Sequence, residues 1–371
     1  MAAHKEMKHN VRAIAAQFDI YGDFVEAAVY GSGHINDTYC AIFDQGAARV
    51  RYIIQRINHN IFKNPVGLME NVARVCAHSQ AKLREANAPD ATRRALTLIP
   101  TRDGKDWYID AEGNVWRTYI FVERARGYDI IEHTGQAFQA AKAFGAFQKL
   151  LVDLPGGRLV ETIPNFHNSR WRFENLKKSI AADAHNRAKD VKKEIEWFLA
   201  QEKEFSVIVD HIAAGRIPER VTHNDTKLNN VLIDDYTQEG ICVIDLDTCM
   251  PGSALYDFGD MVRTATSPGK EDDVNLDNVY CREEYVEALL RGYFSTAGDF
   301  LNKYEKELLP FAGKLLTMEC GSRFLADYLD GDVYFKTARP GHNVDRCRTQ
   351  MALVESIEKQ MDAMQRLVDS K

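Results

Sequence analysis

Two short apolar runs that carry polar loops constrain this chain more than any other feature. The first lies in RVTHNDTKLNNVLID and bears His223, Asn224, Asp225, Thr226, Lys227, Asn229 and Asn230; the second, GICVIDLD, ends on Asp245 and Asp247. Compact β-rich runs of this kind read as paired strands, and their polar loops are where chemistry is to be sought.

The spacing of the two loops matches the catalytic loop and metal loop of a kinase. Phosphoryl transfer needs a carboxylate near the attacking hydroxyl, with an amide oxygen and a second carboxylate to hold Mg²⁺ against the nucleotide phosphates. Asp225, Asn230 and Asp245 supply those groups in that order. Lys227 is placed to offset charge developing on the transferred phosphoryl group, and His223 is read as a brace for the loop. An Asn- and Asp-rich turn has the same composition, but a turn need not recur at both spacings. Asp257-Phe258-Gly259 spells a protein-kinase metal motif outright. It follows Leu255-Tyr256 in what reads as a helix start, whereas Asp245 ends an apolar strand, so Asp257 is assigned to capping or bracing.

Upstream, FVEAAVY, TYCAIF and RVRYIIQRI are separated by Gly31-Ser32-Gly33 and Gln45-Gly46, which predicts an antiparallel sheet. Gly31 and Gly33 could let backbone amides approach phosphates; with Asn36 in place of a third glycine, an ordinary hairpin remains equally open. The third strand has no lysine at the position of the kinase V-A-I-K motif. Arg56 is the substitute considered for a phosphate clamp, with Glu70 as its partner, and the strand's parity leaves open which face meets the nucleotide. A helix follows from about Pro65 to Ala86, then the strands LTLIP and VWRTYIFVE. Val11, Ile14, Ala15 and Phe18 predict an opening amphipathic helix, and Leu353, Ile357, Met361, Met364 and Val368 predict one face of a closing helix.

The reading is an α+β, bilobal chain: an antiparallel-sheet lobe over residues 1–124 and a mainly helical lobe over 125–371. A net charge of −7 provides no basic field for nucleic acid or an anionic membrane. Seven scattered cysteines without a CxxC pair fit a reducing cytoplasm. No run approaches the roughly 18 apolar residues of a membrane span, and no leader is expected. The oligomeric state is left open, a monomer included.

HNDTKLNNVL, VIDLD and GSALYDFGD resemble the aminoglycoside phosphotransferase and choline kinase superfamily. Gly33-His34-Ile35-Asn36, Tyr52 to Asn58, IDLDTCMPGS, Leu316 to Gly321, and Arg323 to Leu329 with Gly331 to Phe335 tighten the match to its N-acetylhexosamine 1-kinase branch, across nearly the whole chain. The resemblance implies a protein-kinase-like fold and transfer of the ATP γ-phosphate, with Mg²⁺, to the C1 hydroxyl of N-acetylglucosamine or N-acetylgalactosamine. It implies Asp225 as base, Asp245 as metal ligand, and His34, Arg323 and Tyr334 as sugar contacts. Phe121, Val122 and Glu123 would form an adenine hinge through backbone atoms. Asp37, near the proposed sugar histidine, departs from the family pattern and could shift substrate preference.

Without the resemblance, the residues reach only as far as a kinase of a small hydroxyl compound. Arg323 and Asp327, four apart, could equally form a surface ion pair. The competing readings are a kinase of another sugar, an aminoglycoside or an amino alcohol; a metal-dependent phosphohydrolase using Asp225, Asp245 and Asp247; and a binding-only pseudokinase.

Overall fold

The computed structural model describes residues 7–31, 33 and 35–370. His34, expected at the acceptor, and Ser32 lie outside the described residues. The N-terminal part runs α1 (Val11–Ala15), β1 (Asp23–Val29), β2 (Asp37–Asp44), β3 (Arg49–Arg56), α2 (Pro65–Glu85), α3 (Ala91–Arg94), β4 (Tyr108–Ile109), β5 (Val115–Ile120) and β6 (Ala125–Arg126). Five of these strands form one sheet in the order β1-β2-β3-β5-β4, antiparallel at every step.

Period-two alternation decides what each face of that sheet does. Tyr39, Ala41 and Phe43 of β2, Tyr52 and Ile54 of β3, and Trp116 of β5 face outward and are covered by Val11, Ala15, Phe18 and Ile20. Each such large apolar side chain contributes roughly 1.5–3 kcal/mol by burial. The opposite face carries Ile53, Gln55, Arg117 and Tyr119 toward the rest of the molecule. Asn64 caps α2 by accepting from Gly67 N at 3.0 Å, and Pro65 opens the helix where its missing N–H costs nothing.

The remainder runs α4 (Thr134–Leu150), α5 (Ser169–Ala182), α6 (Lys192–Ala200), α7 (Val207–Ala213), β7 (Arg220–Thr222), β8 (Val231–Asp234), β9 (Gly240–Val243), β10 (Met250–Gly252), α8 (Ala254–Ala265), α9 (Glu283–Ala297), α10 (Lys303–Glu307), α11 (Leu309–Leu329), α12 (His342–Glu358) and α13 (Met361–Asp369). Helix α11 is buried on nearly every side, so it is the axis of this part. The fold is α+β, with an antiparallel sheet before a mainly helical region, as the sequence predicts.

Three local expectations change. LTLIP forms no ladder; it lies along β5 through Ile99 N to Thr118 O and Ile120 N to Thr97 O, with one bridge between Leu98 and Tyr119. The two motif-bearing runs pair in part: β8 pairs with β9 and β6, while β7 pairs with the unforeseen β10. The closing face is split between α12 and α13, which break at Lys359–Gln360 but still bury Leu353, Ile357, Met364 and Val368.

Candidate active site

The loop after β7 is held from beneath by the start of α8. Asp257, wholly buried, accepts hydrogen bonds from His223 N (3.0 Å), Asn224 N (2.7 Å) and Gln148 Nε2 (2.6 Å). Asp260 accepts from Thr226 N at 2.9 Å, and Thr226 Oγ1 donates to the Asp257 carbonyl at 2.6 Å. Asp257 and Asp260 therefore form a cradle for the loop. The His223 ring lies against Phe144 and Phe147 and bonds through Nε2 to the Ile244 carbonyl at 2.9 Å. Asn224 adopts φ +64°, a conformation Asn tolerates, and its amide donates to the carbonyls of Thr222 (3.1 Å) and Thr248 (2.9 Å). Gly252 of β10 must be glycine: a Cβ there would strike Thr222 Oγ1 and come within 2.7 Å of Asn224 Oδ1.

On this scaffold Asp225 sits between two donors. Lys227 Nζ is 2.8 Å from Asp225 Oδ1, and Asn230 Nδ2 donates to Oδ2 at 3.2 Å and to the Asp225 carbonyl at 2.7 Å. Burial works to raise the Asp225 carboxyl, but the Lys227 ammonium, helped by His223 and Arg263, outweighs it and the net shift is downward. The Asp225 charge raises Lys227 in turn.

Asp245 is brought alongside because Ile244 N donates to the Asn230 carbonyl at 2.9 Å. It has φ +60°, uncommon for a residue with a side chain, and opens the 3-10 turn Leu246–Thr248. Asp245 is exposed, but protein packed around its carboxyl partly desolvates it. That enclosure, then the charges of Asp247 and Asp225, pushes it up to about 6. Crowded carboxylates beside an amide oxygen form a donor set suited to a hard divalent cation. Asp245 and Asn230 fit Mg²⁺ on this ground.

Asp247 turns into the protein. It is 2% exposed and meets Arg117, 1% exposed, with Nη1 2.5 Å from Oδ1. Gln55 Oε1 accepts from Arg117 Nε at 3.0 Å, and Asn36 Nδ2 donates to Asp247 Oδ2 at 2.6 Å. Asp247 first among the charges, with Tyr119 and Asp245, holds the Arg117 guanidinium above its ordinary value against the opposing effect of burial. Arg56 is placed on the other face of β3. Its guanidinium is engaged by Asp37 Oδ2, with Nε at 2.8 Å and Nη2 at 2.6 Å, and by Asn114 Oδ1 at 3.3 Å, while Glu70 is exposed and does not pair with it. Strand parity thus gives the inward cationic position to Arg117, which the sequence reading missed. The available signal was a lone arginine inside the apolar run VWRTYIFV.

The turn between β1 and β2 places Gly31 at φ +82°; a Cβ on Gly31 or Gly33 would meet no atom within 4 Å, leaving the space open. Beyond β5, Phe121 and Val122 are buried, and among the described residues neither the Val122 amide nor its carbonyl has a hydrogen-bond partner. The Glu123 carboxylate is taken by Arg51 at 2.5 Å, and the Arg51 guanidinium lies 3.8 Å from the Phe121 ring centroid.

Arg323 and Tyr334 come together in a cavity of about 440 Å³ between α5 and the end of α11. Arg172, which the sequence reading missed, lines it as well, and donates through Nε and Nη2 to the Phe166 carbonyl at 3.0 and 2.9 Å. Burial first, then Arg323, lowers Arg172 to about 10. The Arg323 guanidinium stands 5.8 Å from the Tyr334 ring centroid and 5.4 Å from that of Phe166. Asp327 is not its partner: that carboxylate accepts from the backbone amides of Val333, Tyr334 and Phe335 and from Asn343. The next residue after Phe166 connects this cavity to the loop after β7, since His167 Nε2 bonds the Asn224 carbonyl at 2.9 Å while Nδ1 pairs with Glu319 at 2.8 Å.

A family model for the phosphotransferase enzyme family matches residues 26–303. Solved structures share the fold. An aminoglycoside phosphotransferase from Alicyclobacillus acidocaldarius superposes with a TM-score of 0.64 at 12% identity, covering 100% of this chain and 99% of that one. A microcompartment-associated aminopropanol kinase gives 0.59 at 15%, covering 96% and 98%. Spectinomycin phosphotransferase in complex with ADP and spectinomycin gives 0.52 at 14%, covering 92% and 94%.

Proposed function

This chain belongs to the phosphotransferase enzyme family, and we propose that within it the protein is an ATP-dependent kinase whose acceptor is the C1 hydroxyl of an N-acetylhexosamine. The observation that carries the kinase reading is the Asp225 carboxylate, held by Lys227 at 2.8 Å and Asn230 at 3.2 Å with Asp245 beside it. ATP enters between the lobes formed by residues 1–124 and 125–371, with adenine against the Val122 backbone and the phosphates beneath Gly31 and Gly33.

Asp225 orients the acceptor hydroxyl toward the γ-phosphorus. A carboxyl whose pKa is lowered is a weak base, so it takes the proton late, as the new O–P bond forms and ADP leaves. Lys227 leans on the departing charge and returns to Asp225 afterwards. Asn230 and Asp245 would hold Mg²⁺, which, when bound, neutralises charge on the β- and γ-phosphate oxygens. Positioning and charge neutralisation supply most of the rate.

The acceptor cavity supports a sugar over an amino alcohol. Its lining sets the cations Arg172, Lys178 and Arg323 against the carboxylates Asp327 and Asp330, and that excess of positive charge disfavours a cationic acceptor. Hydroxyl and acetamido oxygens accept from guanidinium donors and from the Tyr334 hydroxyl. A kinase of another small hydroxyl compound remains the second reading, favoured by the aminopropanol and spectinomycin kinases that share the fold.

ADP release from MgATP decides between them, with N-acetylglucosamine, N-acetylgalactosamine, their C1-deoxy analogues, aminopropanol, choline and kanamycin as acceptors. Turnover with the sugars that vanishes with the C1-deoxy compounds is expected. Turnover with the amines alone replaces the sugar by the second reading. Phosphate released from sugar phosphates without nucleotide replaces the kinase by a hydrolase.

A further inference from the structure

We propose that Arg117 is a positioning residue: by reaching from β5 to Asp247 it ties the metal loop to the nucleotide lobe. The inference rests on the kinase reading and adds a residue to it.

The inward positions of β3 leave that task unfilled. Arg51 is engaged by Glu123 and Phe121, Ile53 is apolar, and Gln55 is spent holding Arg117 Nε at 3.0 Å. Arg117 is the cation that the sheet aims at the metal loop, and its partner lies two residues beyond Asp245. A second link from the same lobe ends on the same carboxylate: Asn36, beside the glycine turn, donates to Asp247 Oδ2 at 2.6 Å, while its own Oδ1 accepts from Asn58 N at 3.0 Å.

The turn Leu246–Thr248 is thereby clamped from different sides at its middle and last residues. Asp247 is held by the nucleotide lobe, whereas Thr248 Oγ1 donates to the His223 carbonyl at 2.7 Å and the Thr248 carbonyl accepts from Asn224 at 2.9 Å. Asp245 opens this turn at φ +60°, a conformation that persists only where its surroundings dictate it. A buried ion pair is poor at raising stability relative to apolar residues of the same volume, because desolvation offsets attraction. One that bridges two lobes is instead suited to setting their register.

The test compares wild type with Arg117→Gln, Asp247→Asn, the double variant, and Arg117→Met/Asp247→Leu, which keeps the site filled and uncharged. MgADP affinity by calorimetry, kcat and KM for ATP, and the melting temperature are measured on each. Each single variant is expected to weaken MgADP binding and to lower kcat/KM by roughly 100-fold, the scale of a small misplacement at a reacting centre. The double variant is expected to be no worse than the weaker single, because the pair acts as a unit. The Met/Leu pair is expected to melt at or above the wild-type temperature while sharing the kinetic loss. Unchanged MgADP affinity and KM with only a lower melting temperature, or single losses that multiply in the double, overturns the proposal. Wild type that binds no MgADP overturns the nucleotide reading itself and this inference with it.

Discussion

Asn230 donates its side-chain amide twice to Asp225, to the carbonyl at 2.7 Å and to Oδ2 at 3.2 Å. One residue therefore fixes the orientation of the proposed base, and its amide oxygen is the atom proposed to hold a metal. Asn230→Ala should remove both effects together, lowering kcat about 10–100-fold and raising the Mg²⁺ concentration for half-maximal rate, the scale seen when a group orienting a metal ligand is lost. A Mg²⁺ titration of initial rate checks this; an unchanged midpoint would place Asn230 outside the metal site.

Asp225→Asn keeps the shape of the loop and removes the proton acceptor. Turnover should fall by about 10²–10⁴, the usual contribution of a positioned general base. MgADP affinity measured by calorimetry should stay close to wild type, and its joint loss would instead mark Asp225 as structural.

Asp257 supports the loop from beneath. Asp257→Ala leaves three buried donors, on His223, Asn224 and Gln148, without an acceptor, and should cost on the order of 2–4 kcal/mol of unfolding free energy. Urea denaturation reads the change directly, and a variant within experimental error of wild type would contradict the cradle role.

The buried pair of His167 and Glu319 makes stability depend on pH. Burial lowers the His167 pKa, but Glu319 at 2.8 Å outweighs it and the folded value stands above the ordinary 6.5. The stabilisation is then fully present below about pH 6.5 and is lost as pH rises through the folded value. Relative to His167→Gln, the wild-type urea midpoint should drop as the pH rises above about 6.5, and parallel profiles would show that His167 is not charged in the fold.

Arg323 is expected to act on the acceptor alone. Arg323→Gln should raise the acceptor KM several-fold, leave the KM for ATP unchanged, and improve turnover with any cationic acceptor, since one of the three cations lining the cavity is gone. A rise in the KM for ATP of the same size would argue that Arg323 serves the fold as a whole.

Local pattern was enough for what local contacts decide. The alternation in TYCAIF and RVRYIIQRI specified β2 and β3, because one buried face imposes a period of two on any strand. The spacing of Asp225, Lys227 and Asn230 was legible because all three stand on one short loop whose side chains meet each other directly. The position of Asp257 at a helix start was also enough to read it as a brace for the loop.

What lay beyond the sequence were pairings between residues far apart in the chain. Parity along β3 distinguishes two faces but does not say which one faces the catalytic loop; only packing of Trp116, Tyr39 and Ile54 against the N-terminal segment sent Arg56 outward and left Arg117 inside. The cavity lined by Arg323 and Tyr334 likewise exists only once α5 lies against α11, bringing Arg172 to Arg323. Sequence determined the chemical groups and their local spacing, since these follow from covalent neighbours and hydrophobic period. Tertiary structure decided which charges meet, since a buried guanidinium must find its carboxylate wherever the fold delivers one.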